Sequence, residues 1–410
     1  MAADSSRCRA CGSCGLHQVV DYGDVPVADF LLTIDQLAWP TVTYPMRLCY
    51  CQQCALIQLI DVVPSELLYG ADYPYFSSLW DTLVQHYGQS ARQLIGQRGL
   101  GPDNLVVELG SNDGYMLKVF AQAGVKVLGI DPAEGPASTA RASGIPTVCE
   151  FFSSGLASRL RQEGTRADVI TANHLLNLVP DPGDVVEGMS LLLKDDGVAV
   201  IETHYAVDLI ERCEYDMIYH SNLNHFTLAS LEKLFGAHDL SVNDIELVPT
   251  FGGSLRVFVE RRRRPKESVL RLREFEKGKG VTGLAYYRGF ADRARRSSQR
   301  LKEMMTALKK GGSRLALYGA GGGMATTLLH YAGIDRTLVY FAVDANPHKQ
   351  GRYLADIRIP IHAPEHLLTE MPDYVLLLAW NYADEVLSCQ QEYCHRGGRF
   401  IVPIPEPRVM

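Results

Sequence analysis

The stretch Leu105-Val-Val-Glu108-Leu-Gly110-Ser-Asn112-Asp113-Gly114-Tyr-Met-Leu117 decides how the rest of the chain is read. An apolar strand enters a glycine turn, and the turn opens a segment with the apolar spacing of a helix. Val125 to Ile130 then reads as a second apolar strand, ending on Asp131. In a doubly wound sheet, ligands sit at the carboxyl ends of the strands. Glycines in the first turn let a ligand lie against the backbone, and an acid ending the second strand accepts hydrogen bonds from ribose hydroxyls. Dehydrogenases share this pattern, so the following segments must discriminate. Asp168-Val-Ile-Thr-Ala-Asn173 reads as a further strand, and Val179-Pro-Asp-Pro182 caps the next helix. Leu191-Leu-Leu-Lys-Asp-Asp-Gly197 then leads into the strand Val198 to Glu202.

That succession resembles the class I S-adenosylmethionine-dependent methyltransferases. The resemblance implies that the first loop holds S-adenosylmethionine through Glu108, Gly110, Asn112, Asp113, Gly114 and Asn173, with Asp131 on the ribose.

Composition limits what surrounds this core. The chain has 410 residues, enough for two or three domains. Its 47% apolar and 21% charged residues exclude a disordered chain, and its net charge of −7 excludes a generally basic nucleic-acid binder. No apolar run approaches the roughly 18–20 residues needed to span a bilayer, so no membrane partner is expected. Met1 to Arg9 lacks the apolar centre of a signal peptide, which favours a cytoplasmic location.

Six of the ten cysteines lie between Cys8 and Cys54. Cys8-Arg-Ala-Cys11 and Cys51-Gln-Gln-Cys54 are two tight pairs, and together they make a tetrahedral thiolate site suited to zinc. Four thiolates close the metal's shell, so the expected role is structural. Unrelated thiols, or disulfides in an exported protein, are the alternatives, and Cys14 and Cys49 are spare ligands.

Near the other end, Arg314 to Tyr318 reads as a strand, followed by Gly319-Ala-Gly-Gly-Gly323, a helix from Met324 to Tyr331, and a strand from Leu338 to Val343 ending at Asp344. A dinucleotide-type loop and a tight turn without a ligand both fit this run. Between the two glycine loops, residues 261–310 hold 17 Lys+Arg against 5 Asp+Glu. Apolar spacing there predicts helices interrupted near Gly278-Lys-Gly280. Their basic face is either solvated or helps attract a diphosphate. The stretch lacks interleaved stacking aromatics, so no nucleic-acid partner is expected.

Taken together, the cysteine pairs, Glu108-Leu-Gly-Ser-Asn-Asp-Gly114, Gly252-Gly-Ser-Leu-Arg256, Asp344-Ala-Asn-Pro-His-Lys-Gln-Gly-Arg-Tyr353, Leu378-Ala-Trp-Asn-Tyr382 and Ile401-Val-Pro-Ile-Pro405 resemble the three-domain C-methyltransferases of deoxysugar biosynthesis. The resemblance covers essentially the whole chain. It implies an α/β protein with two Rossmann-like doubly wound domains and a small N-terminal zinc module. The expected boundaries are 1–70 for the zinc module, 71–260 for the methyltransferase domain, and 261–410 for the basic linker and acceptor-binding domain. It also implies a small-molecule acceptor, a keto-deoxysugar carried on dTDP. Removing a proton beside its ketone needs a base, and the enolate oxygen needs hydrogen-bond donors.

The sequence departs from the family where that base is expected. Tyr219-His220-Ser221-Asn222 replaces a Tyr-His-Glu-His segment, and asparagine cannot take up a proton at neutral pH. Asn177 and Phe251 stand where family histidines are expected, and Gly323 stands at a family lysine. Replacement candidates are His225, His220, His204, Tyr219, Tyr73 and Tyr75, with Ser254 and Arg256 orienting the acceptor or capping a strand. These departures leave open an amine, hydroxyl or acidic-carbon acceptor, or a homologue that binds the cofactor without turnover.

Overall fold

A computed structural model describes residues 7–69 and 75–410 and gathers their strands into four sheets. The opening stretch becomes the strand Leu105–Leu109 inside a seven-stranded sheet. Across that sheet the order is Ser241–Val248, Ser254–Glu260, Leu193–His204, Ala167–Asn173, Leu105–Leu109, Lys126–Ile130 and Thr147–Val148. The last five are mutually parallel, and the first two join antiparallel. Val106, Val107, Ile170 and Ala199 are buried, which explains apolar runs instead of alternation. The chain leaves Leu105–Leu109 on one side toward Lys126–Ile130 and returns on the other at Ala167–Asn173. This reversal opens the ligand crevice at the strand ends carrying Gly110, Asp131 and Asn173.

One boundary differs from expectation. The strand expected at Val198 begins at Leu193, because Ala167 pairs with Leu193 while Val169 pairs with Val198. The register shift absorbs Lys194 to Gly197. A Cβ on Gly197 would lie 3.0 Å from the Ala167 carbonyl oxygen.

The C-terminal unit is a six-stranded sheet ordered Ile361–His362, Ala342–Val343, Leu315–Tyr318, Tyr374–Leu377, Arg399–Val402 and Arg408–Val409. Its second strand is shorter than expected, since the Leu338 and Val339 N–H groups turn back to the Asp335 carbonyl. The basic stretch forms the helices Glu267–Lys279, Leu284–Tyr287 and Phe290–Lys310, the first ending at Gly280 with φ +72°. Phe290, Ala294, Leu301 and Met305 bury one face of the longest. Several cations of the basic stretch meet the chain's own acids: Arg273 with Glu232 at 2.6 Å, Lys279 with Glu211 at 3.1 Å, and Arg300 with Glu406 at 3.0 Å. Such exposed pairs add little stability.

The N-terminal segment is stitched to both larger units. Its antiparallel strands Leu16–Pro26, Thr43–Cys51 and Ile57–Leu59 gain a fourth, Asn224–His225, from the middle of the chain. Leu31–Leu32 pairs with Tyr353–Leu354 of the C-terminal unit. Among the described residues, no helix is long and apolar enough to cross a membrane.

Candidate functional site

The four predicted metal ligands meet. Cys8, Cys11, Cys51 and Cys54 place their sulfurs within 4.8 Å of one another, with Cys8–Cys54 at 3.5 Å and Cys11–Cys51 at 3.6 Å. Sulfurs about 2.3 Å from a tetrahedral zinc lie roughly 3.8 Å apart, so the cluster fits that ion. Each pair sits on a tight turn followed by a left-handed residue, Gly12 at φ +71° and Ala55 at φ +61°. Hydrogen bonding from Cys54 and Cys8 holds the Cys51 thiol down to about 2, whereas Cys51 pushes Cys8 up to about 12 and raises Cys54 further. Thiolates packed this closely repel one another, and a bound cation offsets that repulsion. Cys14 is exposed and Cys49 lies outside the cluster.

The first glycine loop forms a cradle at the crevice. Gly110 and Gly114 take φ +68° and +75°, conformations that cost a side-chained residue energy. Asp131 accepts the N–H groups of Asn112 at 2.8 Å and Ala133 at 2.9 Å. Burial raises its pKa, and those two bonds oppose the rise. Asn112 accepts the Ser77 N–H at 2.8 Å and donates to the Tyr75 carbonyl at 3.2 Å, which lays the 75–78 segment along the loop. Asn173 donates to Glu108 Oε1 at 3.2 Å and so bridges the two strands of the crevice. Glu108 Oε2, Ser111 Oγ and Asp113 Oδ1 remain buried without a hydrogen-bond partner among the described residues. Burial drives the Glu108 pKa well up. Unsatisfied buried acceptors are costly, and this set fits a nucleoside whose amino-acid tail is cationic.

Beside this cradle, Glu202 gathers a polar cluster that the sequence did not reveal. It accepts from His86 Nε2 at 2.9 Å, Thr250 Oγ1 at 2.6 Å, Tyr87 Oη at 3.3 Å and Arg256 Nη2 at 2.9 Å. His174 Nε2 lies 3.4 Å away. Burial works against its charge, but the neighbouring His174 and His86 rings outweigh burial and hold its pKa well below the usual range. A row of rings starts at His174: 4.7 Å to His204, then 6.5 Å from His204 to His225, with Phe251 packed on the first two. Asn222 Nδ2 donates to the Met217 carbonyl at 2.7 Å and to His204 Nδ1 at 3.0 Å. The carbonyl fixes the amide's orientation, so His204 Nδ1 is an acceptor and Nε2 carries the hydrogen. Burial keeps His204 neutral, its pKa well below the usual value.

The other expected bases are placed differently. His225 is fully buried in the strand beside Ile57, its pKa pushed down to about 3 by burial, and His204 stands between it and His174. Such a buried imidazole is a poor proton acceptor, which weighs against His225 as the base. His220 lies against the Tyr44 carbonyl at 3.1 Å, on the N-terminal module and away from the crevice. Tyr219 packs its ring over Gly323, where a Cβ would overlap it, and Tyr75 meets the loop through its carbonyl. Tyr73 lies outside the described residues. Asn177 is a tie: it accepts from Thr203 at 2.8 Å and donates to the Asn224 carbonyl at 2.7 Å. Ser254 caps the Thr250 carbonyl, while Arg256 balances Glu202 and Glu246.

Comparison with known proteins gives this arrangement its context. A model described as zinc binding matches residues 8–69, a methyltransferase domain matches 84–244, and a C-methyltransferase C-terminal domain matches 249–405. The C-methyltransferase NovU of Streptomyces niveus is 34% identical over 406 residues, spanning 98% of this chain and 96% of that protein. The chain belongs to the three-domain C-methyltransferases. It is an S-adenosylmethionine-dependent enzyme acting on a small-molecule acceptor, with a zinc-binding N-terminal segment. This C-methyltransferase is also 27% identical over 124 residues to a ubiquinone biosynthesis O-methyltransferase of Azorhizobium caulinodans, covering 30% of this chain and 47% of that one. Among solved structures, the magnesium protoporphyrin IX methyltransferase of Synechocystis PCC 6803 with bound SAM matches 43% of this chain and 79% of its own. The identity there is 16% and the TM-score 0.34, and no assignment rests on that likeness.

Proposed function

We propose that this C-methyltransferase methylates a carbon beside the ketone of a dTDP-linked keto-deoxysugar, in the cytoplasm, as a step of natural-product biosynthesis. Glu108, Gly110, Asn112, Asp113, Gly114, Asp131 and Asn173 hold the methyl donor in the crevice. When bound, that cofactor supplies an electrophilic methyl group on a sulfonium. The functional boundaries fall near residues 70 and 260, with zinc confined to the first segment as a structural ion.

The observation that carries the keto acceptor is the state of His204. A neutral imidazole whose Nε2–H is locked by Asn222 is a preorganised donor for an oxygen that becomes an enolate. A protonated histidine would be a stronger acid and would compete for the charge it must only stabilise. Likeness to NovU along nearly its whole length supports the same class of reaction. The acceptor lies on the side where Phe251 meets Tyr382 at 6.1 Å and Trp380 donates to Asp216 at 2.6 Å, so both larger units contribute to its site.

The test is incubation with 13C-methyl S-adenosylmethionine and a panel of dTDP-keto-sugars, followed by mass spectrometry and NMR of the product. Carbon–carbon coupling at a position flanking the ketone is expected. A labelled methyl on nitrogen or oxygen would overturn the proposal.

A further inference from the structure

We propose that His174, held by Glu202, is the base that removes the proton from the carbon to be methylated; this rests on the keto-acceptor proposal above. His174 follows Asn173 at the carboxyl end of Ala167–Asn173, one side of the crevice that holds the first glycine loop. Its backbone N–H donates to the Glu202 carbonyl at 2.7 Å, and it takes φ +55°, a left-handed conformation that histidine tolerates better than most side-chained residues.

The hydrogen-bond pattern gives the ring a usable lone pair. Nε2 lies 3.4 Å from Glu202 Oε1 without completing a hydrogen bond; a carboxylate only accepts, so closing that pair places the hydrogen on Nε2. Both ring nitrogens are buried without a hydrogen-bond partner among the described residues, and with Nε2 turned to Glu202 it is Nδ1 that offers the lone pair. The other imidazoles nearby lack this combination. His86 Nε2 is already engaged by Glu202 at 2.9 Å and Arg256 Nη2 at 2.8 Å. Asn222 occupies His204 Nδ1, leaving a donor at Nε2. His225 is sealed behind His204.

In the proposed step, the C–H pair becomes the C=C of the enolate and the proton moves to His174 Nδ1. The imidazolium is paired with the Glu202 carboxylate, and the enolate oxygen is bound by the His204 Nε2–H. The enolate carbon forms its bond to the methyl as the carbon–sulfur pair returns to sulfur. His174 then releases its proton to water. Asn222 acquires a role here: it fixes the oxyanion donor, and the base lies one ring away along the row.

The experiment uses full-length protein in D2O without S-adenosylmethionine, with dTDP-4-keto-6-deoxyglucose and related dTDP-keto-sugars as probes. Wild type should place deuterium on a carbon flanking the ketone faster than the enzyme-free rate. In His174→Gln, both this exchange and kcat should fall by roughly 10²–10⁴-fold, the usual contribution of acid–base catalysis. Retained S-adenosylhomocysteine binding and zinc content check that the variant is folded. Near-normal exchange in folded His174→Gln, or a loss confined to His225→Ala, overturns the base assignment. Exchange absent from wild type on every probe overturns the keto-acceptor proposal, and the base with it.

Discussion

The chain carries two glycine loops on the same strand–turn–helix frame. Each is followed by an acid, Asp131 or Asp344, that ends the next strand and accepts two backbone N–H groups at 2.8–2.9 Å. Their surroundings are opposite. The first loop leaves Glu108 Oε2, Ser111 Oγ and Asp113 Oδ1 buried without partners. The second is closed by the chain itself: the Asp29 N–H donates to the Gly321 carbonyl at 2.6 Å, and Lys349 Nζ to that of Ala320 at 2.8 Å. A Cβ on Gly321 would lie 2.5 Å from Leu31, and one on Gly323 would overlap Tyr219. Glycine is needed wherever something approaches the backbone closely, and that neighbour can be a ligand or a side chain. Among the described residues, three orphaned acceptors cluster at the first loop, whereas beside Gly321 of the second loop one, Asp356 Oδ2, borders a small cavity.

The strongest way to break this comparison is to remove zinc. Structural zinc contributes on the order of 10 kcal/mol to the folding of small modules. Chelation should therefore release the N-terminal segment that plugs the second loop. Hydrogen exchange should rise at residues 319–323, while residues 110–114 stay protected in the presence of S-adenosylhomocysteine. Equal opening of both loops would end the distinction.

Paired glycine substitutions are a milder test. Gly323→Ala forces a methyl against Tyr219 and should cost about 1–3 kcal/mol of stability, the usual penalty of overpacking, with cofactor affinity unchanged. Gly110→Ala meets only ordinary contacts with Leu175 but must hold φ +68°, a strain of about 1–2 kcal/mol, in the loop proposed to hold the cofactor. It should weaken S-adenosylhomocysteine binding as well as stability. Calorimetry of both variants reads the two effects separately.

A pH scan probes the joint that ties the zinc segment to the first-loop unit. Burial lowers the His225 pKa from its ordinary 6.5 to about 3, so the folded state favours the neutral ring. That contribution to stability is complete above about 6.5 and is lost as pH falls toward about 3. Tm should decline with acid in this window, and His225→Gln should flatten the decline. An identical slope in the variant would place the acid sensitivity elsewhere.

What the sequence made legible depended on how local the signal was. The cysteine pairs, the glycine loops and the strand-ending acids each declare themselves within a few residues. The Asn224–His225 strand is too short for any periodicity, and its pairing with Ile57 and Gln58 draws on distant sequence. His86 acquires meaning only from Glu202, 116 residues away. His174 and Glu202 did carry a signal, since each ends or follows a strand at the crevice, but nothing local says that they face each other. Gly323 is a departure from the family in sequence and a packing partner of Tyr219 in space.

The difference between the loops is tested most directly by equilibrium dialysis of labelled S-adenosylhomocysteine against wild type, Asp131→Ala and Asp344→Ala. Wild type should bind one equivalent per chain. Asp131→Ala should lose roughly 10–150-fold in affinity, the value of about 1.5–3 kcal/mol for a hydrogen bond to a charged group. Asp344→Ala should bind as wild type does. Two equivalents in wild type, or a loss that follows Asp344 instead of Asp131, would contradict the assignment of the cofactor to the first loop.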